Sequence, residues 1–139
     1  MNILSSKGLT KLQMVLALVM VFIFAGLSVP KIIDITRKTA EGETKYNLGR
    51  LRSAVAAYYG DNRGNYPEDD LTVLVPRYIE KMPFNAAPGR EKSNKVYTGA
   101  EVNYKGGWFY FNDRNSPRWG DVAANIPGKD SAGKDWAEN

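Results

Sequence analysis

The chain has 139 residues, 43% of them hydrophobic, which leaves room for one modest domain and an apolar segment but not for two full domains. Its net charge of +4 comes from basic residues interspersed with acids, which suits a weak attraction to anionic membranes and argues against nucleic-acid binding. The absence of cysteine and histidine excludes disulfide staples, thiolate zinc sites and Ser-His or Cys-His catalysis, so an enzyme would have only carboxylates, lysine or tyrosine to work with.

The first element is apolar. Residues 12–29 carry no formal charge, and Gln13 is their one strongly polar side chain. As a helix this run measures roughly 27 Å, enough to cross the hydrocarbon core of a thin bilayer. A secretory signal has a shorter apolar region of about 7–15 residues ending at a small-x-small site. Here the run passes through Ala25-Gly26-Leu27-Ser28-Val29-Pro30 into a segment that still reads as helix, so an anchor is the better reading. Lys7 and Lys11 precede it and favour a cytoplasmic N-terminus. Phe22 and Phe24 then face lipid or neighbouring helices.

The helical pattern continues past Pro30. Leu48, Leu51, Val55 and Tyr58 recur at spacings of three, four and three, with Ala54 on the same face and Arg50 and Arg52 pointing elsewhere. Gly60-Asp61-Asn62 supplies a stop. Pro30 removes one helical hydrogen bond and bends or loosens the helix without ending it. One long helix is expected, membrane-compatible in its first half and amphipathic in its second.

Beyond it, proline and glycine punctuate the chain. Asp69 or Asp70 caps a short helix over 71–75, with the acidic run Glu68-Asp69-Asp70 favoured by the helix dipole. Residues 84–94 read as loop, with Pro88-Gly89 as a turn. Residues 107–112 and 120–126 read as two strands of a hairpin, and a third strand is expected within 96–104. Trp108 and Tyr110 share one face of the first hairpin strand, Phe109 and Phe111 the other. One face packs on the helix stripe; the other needs a cover of loops or of another subunit. A sugar- or base-stacking platform explains these four aromatics less well than a helix-on-sheet core does. The terminal stretch from Asp130 to Asp135 reads as a solvated tail, because two lysines flank its acids.

Taken together, these residues resemble the type IV pilins and the pseudopilins of type II secretion. MNILSSKG matches their short basic leader ending in glycine, and Leu9-Thr10-Lys11-Leu12-Gln13 opens the mature chain. Counting Leu9 as its first residue puts Pro30 at the twenty-second position, where the family has proline. Tyr58-Tyr59-Gly60-Asp61-Asn62, Asn65-Tyr66-Pro67, Leu74-Val75-Pro76 and Met82-Pro83 are similar to the stretch after the long helix in major pseudopilins. Gly106-Gly107-Trp108-Phe109-Tyr110, Asp121-Val122, Asn125 and Asp130-Ser131 are similar to their terminal hairpin and loop. The likeness is least specific over 91–105. Two departures stand out: Gln13 replaces the family's glutamate at the fifth mature position, and Lys11 replaces an apolar residue at the third.

The resemblance implies an α+β, pilin-like fold, a long helix packed on a small antiparallel sheet. It divides the chain into a leader (1–8), a transmembrane and assembly half-helix (9–30), an amphipathic half-helix (31–60) and a small α+β region with a C-terminal hairpin (61–139). It implies cleavage between Gly8 and Leu9 by a prepilin peptidase, with the new amine of Leu9 methylated. It also implies an inner-membrane assembly platform as partner and polymerisation of identical copies into an extracytoplasmic filament through the apolar helix, with Lys11, Gln13 and Pro30 at assembly positions. Gln13 accepts a hydrogen bond but supplies no charge, and Lys11 snorkels to the interface or pairs with an acid of another subunit. Through the family's C-terminal loop it implies calcium, for which Asp130 and Asp135 are the candidate ligands. Three other readings stay open: a surface pilus rather than a secretion pseudopilus, a minor or tip subunit given Gln13, and an uncleaved, membrane-anchored binding module.

Overall fold

The computed structural model describes residues 10–139, with Val29 and Pro30 described through their backbone alone. The expectations for Gly8 and Leu9 therefore lie outside the described residues. Helix α1 runs from Lys11–Asp61, 51 residues, and its backbone stays helical through Pro30. Contacts divide the chain into two compact units, one up to Thr36 and one from Arg37 to Asn139.

In the first unit, every large apolar side chain described from Leu12 to Ile35 is exposed, Phe22 by 69% and Leu27 by 71%. This part of α1 is long and apolar enough to cross a membrane, and none of its most apolar stretch is buried. A core helix of a water-soluble domain would instead hide such a stretch.

The second unit is built on the rest of α1. Leu48, Leu51, Ala54 and Val55 are buried, as their spacing predicts, and Tyr58 packs at the margin of the same cluster. Across from them lies a three-stranded sheet of β1 (Val96–Gly99), β2 (Trp108–Phe111) and β3 (Val122–Ala124), in that spatial order. Trp108 and Tyr110 point into the helix-facing core, with Leu71, Leu74, Val122 and Trp136. The Trp108 Nε1–H donates to the Pro83 carbonyl at 2.8 Å and the Tyr110 hydroxyl to the Pro67 carbonyl at 2.6 Å, so neither polar tip is left bare. The second face, Phe109 and Phe111 with Ala123, is covered by this chain itself: Tyr97, Val102 and the Arg118 guanidinium, 4.0 Å from the Phe111 ring centre.

The sheet is mixed, which corrects the antiparallel expectation. β2 and β3 form the antiparallel pair, but β1 runs parallel to β2, with Val96 opposite Trp108 and Gly99 opposite Phe111. Residues 100–107 carry the chain back to the end where β1 began. A parallel connection is normally a dozen residues or more. This one is short because left-handed Tyr104, Gly106 and Gly107 turn it, and because the buried Asn125 side chain holds it. Asn125 Oδ1 accepts from the amides of Asn103 and Tyr104, while its Nδ2 donates to Asn103 Oδ1 and the Gly106 carbonyl.

Smaller differences have equally local causes. Gly60 lies inside α1, and the left-handed exit falls at Arg63 and Gly64, whose amide bonds the Tyr59 carbonyl. The short helix expected over 71–75 is a single 3-10 turn, Thr72–Leu74. Its N-cap is Leu71, left-handed and without a side-chain cap, so neither Asp69 nor Asp70 caps it; they accept from the amides of Leu71 and Thr72 in the turn leading in. The terminal stretch is no solvated tail: Asp130, Trp136 and Ala137 are buried, and a second 3-10 turn, Trp136–Glu138, packs near β3.

Gly107 has φ +66°, and a Cβ there would sit 2.2 Å from the Lys95 carbonyl oxygen, which accepts the Trp108 amide. Gly107→Ala therefore destabilises this unit by about 1–3 kcal/mol. Gly49, on α1 with open space around it, is the contrasting position. There Gly49→Ala stabilises by roughly 0.5–1 kcal/mol. Thermal unfolding of both variants should move in opposite directions.

Candidate functional site

Three places carry the residues that the sequence singles out. The first is the start of α1. The Thr10 amide donates to Gln13 Oε1 at 3.0 Å, and the Gln13 amide donates to Thr10 Oγ1 at 3.3 Å. This reciprocal pair is a capping box, and its Thr-x-x-Gln spacing was present in the sequence. It satisfies two of the amides that every helix start leaves without partners, at a point where a membrane interior would offer none. Gln13 thus uses its acceptor within its own chain. Lys11 is exposed on the first turn, two residues from Gln13.

The second place is the exposed apolar surface from Leu12 to Ile35. Its chemistry is nonspecific: a surface for lipid or for other apolar helices.

The third lies in the other unit, where the upper stripe of α1 changes character. Thr44 and Glu41 continue the buried face one and two turns before Leu48, and Asn47 adjoins Leu48, but all three are polar. Polar residues at helical spacing look like a solvated face, and only the continued three- and four-residue rhythm marks these as buried. Their work is to hold loops. Asn47 Nδ2 donates to the Phe84 carbonyl, and Thr44 Oγ1 accepts the Ala86 amide. Glu41 accepts from Arg37 Nε at 3.2 Å and from the Ser131 amide at 3.0 Å. Arg52, expected to point elsewhere, reaches Asp121 Oδ1 at 3.1 Å and the main-chain oxygens of Val122 and Asn139.

Asp130 is the most enclosed acid of this region, its side chain 1% exposed. Oδ2 accepts from Lys45 Nζ at 2.5 Å and from Asn139 Nδ2 at 3.2 Å; Oδ1 accepts from the Ala132 and Lys134 amides, both at 2.9 Å. Asp135 does something separate, accepting the Ala137 amide at the start of the last 3-10 turn. Among the described residues, no three acidic side chains are grouped to hold a metal ion. The donors around Asp130 are N–H groups, whereas calcium needs six to eight oxygens, so this set does not fit the ion.

No family model, curated protein or solved structure matches this chain.

Both buried carboxylates have lowered proton affinity. At Asp130 the Lys45 bond lowers it most, followed by the Lys134 amide, and these outweigh burial. At Glu41 burial pushes upward, but the Ser131 amide and Arg37 together outweigh it. Groups whose folded pKa lies below the unfolded value add stability above the ordinary carboxylate range, near pH 4, and lose it as pH falls through the folded value. The loop should accordingly be closed at neutral pH and open only in acid well below pH 4. Trp136 fluorescence, with a Trp136→Phe control, should shift red in that window. A red shift already complete above pH 5, with the rest of the unit still folded, would contradict the assignment.

Proposed function

We propose that this chain is a non-catalytic structural subunit of an extracytoplasmic filament, of the type II secretion pseudopilus or type IV pilus kind. The observation that carries the reading is the continuity of α1. Its first half exposes every large apolar side chain described there, and its second half is the spine of a small α+β unit. The register of Gly8, Gln13 and Pro30 supports the same reading from the sequence.

The physical scheme is storage and release. The apolar half keeps the precursor in the inner membrane, with its N-terminus cytoplasmic and residues 37–139 outside. A prepilin peptidase cuts after Gly8. Leaving lipid is costly unless the same surface is buried again, at about 25 cal/mol per Å² of apolar area, against the helices of other copies. Membrane and polymer thus compete as solvents for one surface, and an assembly platform moves the subunit between them. Lys11 sits at the cytoplasmic interface, and the Thr10–Gln13 box lets the helix start without burying a charge.

The absence of cysteine makes the scheme easy to probe. A Leu16→Cys variant, oxidised in cells that carry an assembly platform, should give a disulfide-linked dimer, the largest product that one cysteine per chain allows. A strictly monomeric product in those cells would argue for an isolated anchor.

A further inference from the structure

We propose that Lys45 is the built-in cation of the 129–139 loop, so that this loop closes on α1 without calcium. The case rests on the donor set and on charge balance, independently of the filament reading. Every Asp130 oxygen is committed to nitrogen: the Lys45 ammonium and Asn139 amide on one, two main-chain amides on the other. The ammonium also lies over the Trp136 ring, 5.9 Å from its centre, so one lysine touches both the acid and the aromatic plug of the loop.

The neighbouring acid is matched in the same way. Glu41 takes Arg37 from the preceding turn of α1 and the Ser131 amide from the loop. Two buried carboxylates, Asp130 in the loop and Glu41 on α1, thus each have their own cation from α1. Their formal charges cancel, and a divalent ion added here would meet an ammonium already 2.5 Å from the carboxylate. Calcium would have to displace Lys45 and strip the three other N–H donors to gain its oxygens. Asp135, the other candidate ligand, is turned to the Ala137 amide and leaves no paired acid to compensate.

The test is limited trypsin digestion of the full-length protein in detergent micelles, following cleavage after the exposed Lys129 and Lys134. Wild-type cleavage should proceed at the same rate in millimolar calcium chloride and in EGTA. Lys45→Met should be cut about tenfold faster or more in both, because proteolysis follows the open population. Lys45→Arg, which keeps a cation, should stay protected, and unchanged near-ultraviolet dichroism would show that the core of each variant is folded. Calcium protection of the wild-type loop would overturn the proposal, as would a Lys45→Met loop as resistant as wild type.

Discussion

A Val19→Asp, Phe22→Asp double variant should leave the membrane and fail to assemble. Both side chains sit on the exposed part of α1 and lie three residues apart, on one helical face. Each aspartate at a bilayer centre costs about 2.5–3.5 kcal/mol, so the pair costs on the order of 6 kcal/mol, roughly four orders of magnitude in partition. The same charges would be desolvated between helices in a polymer, so anchoring and assembly fall together. Residues 37–139 contain neither position and should stay folded. Carbonate extraction of membranes and a sheared-filament fraction measure both effects. Retention of the variant in the membrane pellet would show that this surface is not what holds the chain there.

Trp108→Ala should be the most damaging single change in the α+β unit. Trp108 is fully buried against the α1 stripe, and its indole nitrogen satisfies the Pro83 carbonyl. Truncation costs about 3–5 kcal/mol for the lost packing and cavity, and strands that carbonyl as well. Against a typical domain stability of about 5–15 kcal/mol, the variant is close to unfolding, with a melting point lower by on the order of 20 °C. Trp108→Phe, which loses the hydrogen bond but keeps most of the volume, should lose only a fraction of this. Chemical denaturation of the three proteins gives the comparison. A loss below about 1 kcal/mol for Trp108→Ala would place the core elsewhere.

What the sequence made legible were features written in a period. Leu48, Leu51, Ala54 and Val55 announced the buried face of α1, and the alternation of Trp108 to Phe111 announced two faces of a strand. Strand direction has no period. The parallel run of β1 depends on Asn125, which reaches back to Asn103 across 22 positions, and on backbone turns at Tyr104, Gly106 and Gly107. Those glycines marked a turn without saying which way the chain would leave it.

The candidate sites divide along the same line. Thr10 and Gln13 are three apart, and their mutual cap is a local pattern open to reading. Lys45 and Asp130 are 85 positions apart, and nothing in the spacing of either discloses the other. Residues 130–135 read as a solvated tail because two lysines flank their acids. The contrary signal was Trp136, a large apolar side chain in a stretch otherwise fit for a tail. Polar residues at buried positions, such as Glu41, Thr44 and Asn47, hide from periodicity for the opposite reason. They satisfy loop amides and carbonyls that are themselves invisible in sequence.

The filament account stands on processing at the start of α1, and one measurement reaches that directly. Intact-mass spectrometry of the protein recovered from its native cells reads the first residue of the mature chain. The account predicts a chain that begins at Leu9, with the mass of residues 1–8 gone and one methyl group added. A chain that still begins at Met1 would contradict it and leave a permanently anchored domain in its place.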